Sequence, residues 1–121
     1  MVMEKKVGIV NRHLPHGQSH AREALDLSLA LSAFNESLSL FFIGDGVYQL
    51  LAKHQADIIL QKDFQPMLQM LELYGVEQIY VCEESLALRH ISVDQLVIKT
   101  TLLSTEKINS YLAQQDQLLS F

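Results

Sequence analysis

The sequence has little cysteine and proline and no tryptophan: one Cys, two Pro and no Trp occur among its 121 residues. A single cysteine cannot form an internal disulfide, which excludes a disulfide-stabilised secreted scaffold. The start MVMEKKVGIV has an apolar segment of only four residues after its lysines, too short for a signal peptide. No apolar run approaches the length that spans a bilayer. We therefore expect a cytoplasmic protein that does not associate with membranes.

Basic residues are also few. Nine Lys and Arg stand against fourteen Asp and Glu, which gives a net charge of −5, and the nine are scattered along the chain. Proteins that bind nucleic acid directly need clustered Lys and Arg to neutralise phosphates. The composition therefore argues against direct nucleic-acid binding by this chain.

Apolar residues are plentiful, at 49% of the chain, while charged residues make up 19%. This composition predicts an ordered chain, and its length suits one domain over residues 1–121. The apolar content also exceeds what one small core is expected to absorb, so we expect the chain to associate with other subunits.

Short apolar runs alternate with helical patterns along the chain. The strand-like runs are KKVGIV, LSLFFI, QIYVC, LVIKT (96–100) and QLLSF. Helices are predicted over 19–34, from Asp45 through Leu51, over 66–74, over EESLALR, and after Ser104. Such alternation implies right-handed crossovers and a small doubly wound, mostly parallel five-stranded sheet with helices on both faces.

Several of these boundaries carry specific local signals. Pro66 suits the first position of a helix, and Gly75 suits its left-handed end. Ser104 can cap the last helix, where Leu103 and Ile108 have the spacing of a hydrophobic staple. In the segment GDG, Gly44 and Gly46 permit a tight turn with Asp45 as a helix cap. The alternate acidic ligands of a calcium loop are absent there.

The loop HLPHG, with His13, His16 and Gly17, follows the first strand. If the strand order is 2-1-3-4-5, the topological switch point lies between strands one and three, which would bring this loop beside CEES. The loop could bind an anion on backbone N–H groups, but it lacks the known phosphate-loop patterns. Its histidines are interrupted by Pro15 and Gly17, so we predict no metal site.

Cys82 ends the third predicted strand and is the candidate catalytic residue. A cysteine at a helix start gains from the positive helix end, which lowers its pKa, whereas Glu83 and Glu84 would raise it. We expect the carboxylates to reduce its reactivity. The alternative is a buried, inert small side chain at the end of a strand.

Five segments together resemble one protein family. They are PHG, REALDLSLALSAF, LFFIGDGVYQLL, LELYGVEQIYVC and LLSF. In this combination, spread over essentially the whole chain, the sequence is similar to the TusC/DsrF branch of the DsrE/DsrF/DsrH-like sulfur-relay family. The resemblance implies the same doubly wound α/β fold.

The resemblance also implies a function. Members of this branch act with TusB-like and TusD-like subunits in a cytoplasmic dimer of heterotrimers. That complex passes persulfide sulfur to a TusE-like acceptor for 2-thiolation of wobble uridine in tRNA, without a cofactor; related Dsr complexes serve dissimilatory sulfur metabolism. We expect no direct tRNA binding by this chain.

The resemblance implies a division of labour between the subunits. The persulfide carrier is assigned to the TusD-like subunit, whose cysteine stands where Cys82 stands here. In this chain Glu83 and Glu84 follow, and Arg89-His90 lacks the expected glycine. We therefore expect an accessory subunit. One alternative is a self-sufficient sulfurtransferase with Cys82 as persulfide carrier. A second is a nucleotide-binding protein using the PHG loop.

Overall fold

A computed structural model describes residues 5–13, 20–34, 37–51 and 64–121. Its centre is a five-stranded sheet in the order β4-β3-β2-β1-β5, with every neighbouring pair parallel. The strands are β1 (Val7–Asn11), β2 (Leu38–Phe42), β3 (Gln78–Cys82), β4 (Thr101–Leu103) and β5 (Gln117–Ser120). The predicted parallel five-stranded α/β fold is confirmed.

Helices cover both faces of the sheet. They are α1 (His20–Ser32), α2 (Phe64–Leu73), α3 (Glu83–Leu88) and α4 (Thr105–Ala113), with 3₁₀ helices at Gly44–Leu50 and Val93–Gln95. The crossovers from β1 through β4 all advance in one direction, so right-handed connections place their helices on one face. The return from β4 to β5 reverses direction, which places α4 on the other face. No helix in the described ranges has the length and apolar character to cross a membrane.

The two faces of the sheet bury two separate apolar clusters, because side chains alternate along each strand. In β2, Leu40 and Phe42 pack towards α1, α2 and α3, whereas Phe41 packs towards α4 with Ile108. β2 is buried at every position, as expected for a central parallel strand. The larger cluster therefore lies under three helices, and the smaller one lies under α4 alone.

Several predicted boundaries are confirmed. β3 spans the predicted residues, and Gly75 ends α2 with a positive φ of 79°. Ser104 caps α4 by accepting a hydrogen bond from the Lys107 N–H at 3.2 Å. Leu103 and Ile108 are buried in one cluster, as the staple predicts.

The fourth strand lies elsewhere than predicted. The run at 96–100 is not a strand of the sheet; β4 begins at Thr101. Leu96 forms an isolated antiparallel bridge with Leu51, and the Val97 N–H donates to the Leu50 carbonyl at 2.7 Å. Ile98 is buried in the larger cluster. The apolar residues that suggested a strand instead cover the core beside the first 3₁₀ helix.

The strand order also differs from the 2-1-3-4-5 order considered above. β1 pairs with β2 on one side and β5 on the other, so β2 separates β1 from β3. Neighbouring strands lie about 4.8 Å apart, so the ends of β1 and β3 are roughly 10 Å apart. The carboxyl ends of β1 and β3 are therefore not adjacent.

Candidate functional site

The candidate site lies at the carboxyl edge of the sheet, where β3 ends in Cys82. The side chain points to the α4 face and packs in the smaller cluster with Phe41, Leu103 and Ile108. Only 5% of Cys82 is exposed. The burial predicted by the alternative interpretation, a small side chain buried at the end of a strand, is therefore confirmed.

Cys82 is also the N-cap residue of α3, with extended backbone angles. The backbone N–H groups of Glu84 and Ser85 favour the ionised sulfur, although neither has the geometry of a full cap hydrogen bond. An anion is favoured at this end of a helix because the first N–H groups have no partner within the helix.

Two hydroxyl groups from different elements act on the sulfur. Thr105 Oγ1, at the start of α4, lies 3.5 Å from Cys82 Sγ. The Ser85 hydroxyl, in the first turn of α3, lowers the pKa of the Cys82 thiol by hydrogen bonding. Sequence reasoning missed both residues. Ser85 stands three positions after Cys82, the spacing of a capping box, which was the available signal.

Burial raises the pKa of the Cys82 thiol, but hydrogen bonds from Ser85, Thr105 and the backbone outweigh it and leave this pKa below its ordinary value. This corrects the expectation that Glu83 and Glu84 would raise it. Glu84 Oε1 accepts the Thr105 N–H at 3.2 Å, so this carboxylate serves the start of α4. Hydrogen bonding to the charged sulfur, rather than the neighbouring carboxylates, therefore sets the direction of the pKa shift of Cys82.

The segment Gly44-Asp45-Gly46 forms the turn after β2, beside Cys82. Gly44 has a positive φ of 53°, and its N–H donates to Ser85 Oγ at 2.9 Å. A Cβ at Gly46 would overlap the Asn11 carbonyl. The predicted turn is confirmed, but the predicted cap is wrong. Ile43 is the N-cap residue, and Asp45 lies in the first turn and forms an ion pair.

Arg89 connects this turn to α3. Its Nε and Nη2 donate to Asp45 Oδ1 at 3.2 and 3.0 Å, and its Nη1 donates to the Ser85 carbonyl at 3.1 Å. The guanidinium carbon lies 5.9 Å from the centre of the Tyr48 ring, within cation–π range. We call the contacts of Arg89 with Asp45, Ser85 and Tyr48 the arginine clamp.

Of the predicted histidine loop, the structure describes His13, which follows β1 and is separated from Cys82 by β2. The His13 carbonyl accepts a hydrogen bond from Gln49 Nε2 at 2.9 Å. His16 and Gly17 lie outside the described residues, as does most of the loop proposed to hold an anion. Within the described ranges, no three His, Cys, Asp or Glu side chains converge as metal ligands.

A groove of about 460 Å³ lies at the amino edge of the sheet, opposite the edge that carries Cys82. It is lined by residues of α2, the start of β3 and the segment before β4, including Glu72, Glu77 and Lys99. Because it opens at the amino ends of the strands, it is not part of the Cys82 site.

With this geometry in place, comparison with known proteins decides the family. The model of the DsrE/DsrF-like family matches residues 5–121. The chain belongs to this family. The resemblance inferred from the five sequence segments is thereby confirmed.

Similar proteins are alike over nearly their whole lengths. A protein named Protein TusC homolog from Vibrio parahaemolyticus is 47% identical over 110 residues, covering 91% of this chain and 93% of its own. Protein TusC of an Escherichia coli O157:H7 strain is 37% identical over 118 residues, covering 97% and 99%. The crystal structure of the E. coli ychN protein superposes with a TM-score of 0.80 at 25% identity, covering 98% and 100%.

Proposed function

We propose that this chain is the TusC-like subunit of a cytoplasmic TusBCD-type sulfur-relay complex. In that complex it acts with TusB-like and TusD-like subunits in a dimer of heterotrimers. The complex passes persulfide sulfur to a TusE-like acceptor, towards 2-thiolation of tRNA wobble uridine. Full-length similarity to proteins named TusC, at 36–47% identity, supports this role.

Within the complex, we assign the main reactive cysteine to a partner subunit. In sulfur relay, an acceptor thiolate attacks the terminal sulfur of a persulfide, the S–S bond breaks, and the donor leaves as a thiolate. Attack of this kind requires access to the sulfur. The observation that carries the assignment is the burial of Cys82, which is 5% exposed. Burial thus replaces the carboxylates as the reason for an accessory role.

The second candidate is a self-sufficient sulfurtransferase with Cys82 as the persulfide carrier. The observation that favours it is the set of hydrogen bonds from Ser85, Thr105 and the backbone that lowers the pKa of the Cys82 thiol. A persulfide anion would be stabilised by the same donors. This candidate needs the sulfur to become accessible to a donor.

The two candidates differ in what one substitution does. The three subunits are co-expressed, loaded with inorganic polysulfide, and mixed with the TusE-like acceptor, whose gain of one sulfur is followed by mass spectrometry. For the accessory role, Cys82→Ser leaves assembly intact and retains most of the transfer. Replacing the TusD-like cysteine by serine is the matched control and abolishes transfer. Collapse of transfer in Cys82→Ser, with persulfide accumulating on the isolated chain, would establish the second candidate.

A further inference from the structure

We infer that the Asp45–Gly46 peptide is a site of spontaneous isomerisation to isoaspartate, and that Arg89 sets the rate by holding the Asp45 carboxylate. The sequence has one Asp-Gly pair, and every other aspartate precedes a residue with a larger side chain. The inference goes beyond the proposed function and does not rest on it. It concerns the covalent chemistry of the turn after β2 rather than the Cys82 sulfur.

The reaction needs no reagent other than water. The Gly46 nitrogen attacks Cγ of the protonated Asp45 carboxyl group, an N–Cγ bond forms, and the amide proton leaves with the carboxyl hydroxyl as one water molecule. Water then opens the resulting five-membered succinimide at either carbonyl carbon. Opening at the side-chain carbon restores aspartate, whereas opening at the main-chain carbon gives isoaspartate, in which the chain runs through Cβ and Cγ. Nothing is oxidised or reduced, and the mass of the chain is unchanged.

The packing of the turn requires glycine at position 46. A Cβ on Gly46 would overlap the carbonyl of Asn11, so a bulkier residue that would slow the attack has no room there. Glycine also leaves its own nitrogen unshielded, because it has no Cβ. At position 45 the carboxylate forms the ion pair with Arg89. The fold therefore imposes a labile pair, and the contacts of the turn decide how fast it reacts.

The helical backbone opposes the attack. Asp45 lies in the first turn of the 3₁₀ helix, and the Gly46 N–H donates to the Ile43 carbonyl at 2.9 Å. Side chains in a helical turn lean towards the N-terminus of the helix, so the Asp45 side chain leans away from the nitrogen that follows it. The attack therefore begins only after the turn opens and this hydrogen bond breaks. Water does not limit the reaction, since 54% of the Asp45 side chain is exposed.

Arg89 restrains the carboxylate itself. Its Nε and Nη2 donate to Asp45 Oδ1 at 3.2 and 3.0 Å, so Cγ cannot turn towards the Gly46 nitrogen without breaking both bonds. The guanidinium is held in turn, because its Nη1 donates to the Ser85 carbonyl at 3.1 Å and its carbon lies over the Tyr48 ring. Only 22% of the Arg89 side chain is exposed, so water screens this ion pair less than a pair of fully exposed groups.

The product would change the turn. Isoaspartate adds one atom to the backbone between residues 45 and 46, next to the Asn11 carbonyl against which Gly46 packs. The carboxylate also moves, because it now derives from the main-chain carbonyl of residue 45. Both contacts of the turn, with Arg89 and with β1, are therefore displaced in the product.

The experiment follows isoaspartate at residue 45 in the full chain, at physiological temperature and neutral pH. Electron-transfer fragmentation of the digested chain distinguishes isoaspartate from aspartate and assigns it to a residue. In Arg89→Ala we expect isoaspartate to form about fivefold faster than in wild type, from loss of a partly buried ion pair. Wild type unfolded in guanidinium chloride should react faster than either. Arg89→Lys keeps the charge but lacks the fork that reaches Oδ1 twice, so its rate should fall between those of wild type and Arg89→Ala.

Two controls separate this restraint from net charge and from general stability. Arg22→Ala removes an exposed arginine from α1 and should keep the wild-type rate. Ile79→Val trims a buried side chain of β3, so it destabilises the core while Arg89 stays in place, and it should also keep the wild-type rate. Equal rates in wild type and Arg89→Ala, an equal acceleration in Ile79→Val, or no isoaspartate in Arg89→Ala would overturn the inference. If Arg89→Ala does not fold, the comparison of Arg89→Lys with wild type decides.

Discussion

At the scale of the residue, Cys82 combines two properties that usually oppose each other. It is buried among apolar side chains, and yet the pKa of its thiol lies below its ordinary value. Burial alone disfavours a charged sulfur. The donors from α3 and α4 outweigh that effect, so the pKa of the thiol falls below its ordinary value despite the burial.

This combination predicts how stability depends on pH. Since the folded pKa of Cys82 lies below the unfolded value, the stabilising contribution is present above the unfolded pKa and is lost as pH falls through the folded pKa. The stability of wild type relative to Cys82→Ser should therefore increase as the pH rises towards the ordinary cysteine pKa of 9.0. Urea unfolding of both proteins at each pH measures the difference. A difference that shrinks as pH rises would mean that the fold favours the neutral thiol.

His90 provides a second prediction at this scale. It is the non-glycine residue with positive φ in the described ranges, at 57°, and it ends α3 with the hydrogen-bond pattern that Gly75 forms at the end of α2. A left-handed conformation is strained for a residue with a Cβ. His90→Gly should raise the free energy of unfolding by about 0.5–1 kcal/mol.

The matched change at the other helix end is Gly75→Ala, which should lower the free energy of unfolding by a similar amount, about 1 kcal/mol. Space does not limit this substitution, because nothing lies within 4 Å of a Cβ at Gly75. Urea unfolding at neutral pH tests the pair. If His90→Gly is destabilising, the imidazole makes a contribution greater than the backbone strain.

At the scale of elements, the turn after β2 packs closely against the end of β1. Gly44 and Gly46 occupy it for different reasons: the first has a positive φ, whereas the second packs against the backbone of Asn11. The turn meets β1, α3 and, through Ser85, the sulfur. It connects the centre of the sheet to the candidate site.

Alanine at these two glycines should therefore have unequal effects. A Cβ at Gly44 would lie 4.0 Å from Arg89 Nη2, an ordinary contact, so Gly44→Ala should lower the free energy of unfolding by about 1 kcal/mol through its positive φ alone. Gly46→Ala forces the turn away from the Asn11 carbonyl and should lower it by about 2–3 kcal/mol. Thermal and urea unfolding compare them. Equal decreases in the free energy of unfolding would show that the backbone of β1 shifts at little cost to accommodate the Cβ at residue 46.

The elements also show what sequence patterns can predict. Runs such as LSLFF and the Gly75 signal predict helices and strands locally, because propensity and periodicity act over a few residues. The start predicted for α2 at Pro66 is wrong: the helix begins at Phe64, and Pro66 stands third, still within the first turn, where a missing N–H costs no helix hydrogen bond.

Strand order depends on how the crossovers pack together, which local patterns do not show. The run at 96–100 is apolar because it packs beside Leu50 and Leu51, a contact that is distant in sequence. Likewise, Cys82 could be identified from its position at the end of a strand. Its contact with Thr105, 23 residues away, and the ion pair between Asp45 and Arg89, 44 residues apart, could not be predicted from the sequence.

At the scale of the whole molecule, apolar surface and negative charge decide which partners are suitable. Exposed apolar side chains remain, among them Phe34, Leu73 and Leu88, the last 78% exposed. Such residues are normally scattered singly on a monomer, and larger sets mark association. Sedimentation of the co-expressed subunits should show a stable hetero-oligomer. A chain that stays monomeric in the presence of both partners would contradict this.

The net charge of −5 predicts the behaviour towards RNA. We expect no binding of labelled tRNA by the isolated chain tighter than about 100 µM, because too few phosphates can be neutralised. The titration belongs at low salt, where a basic patch is most effective. Tighter binding that weakens steeply with added salt would place tRNA contacts on this chain.

The position of β1 between β2 and β5 has a consequence for synthesis on the ribosome. The Lys6 N–H donates to Asp116 Oδ2 at 2.8 Å across 110 positions, and Val10 and Arg12 bond to the backbone of Phe121. A nascent chain that has not reached residue 117 therefore holds its first strand with one edge unpaired, and Gly8 lacks the Leu118 side chain that covers it. Translation runs at about 5–20 residues per second, so this edge stays open for several seconds and needs protection from other unpaired strands.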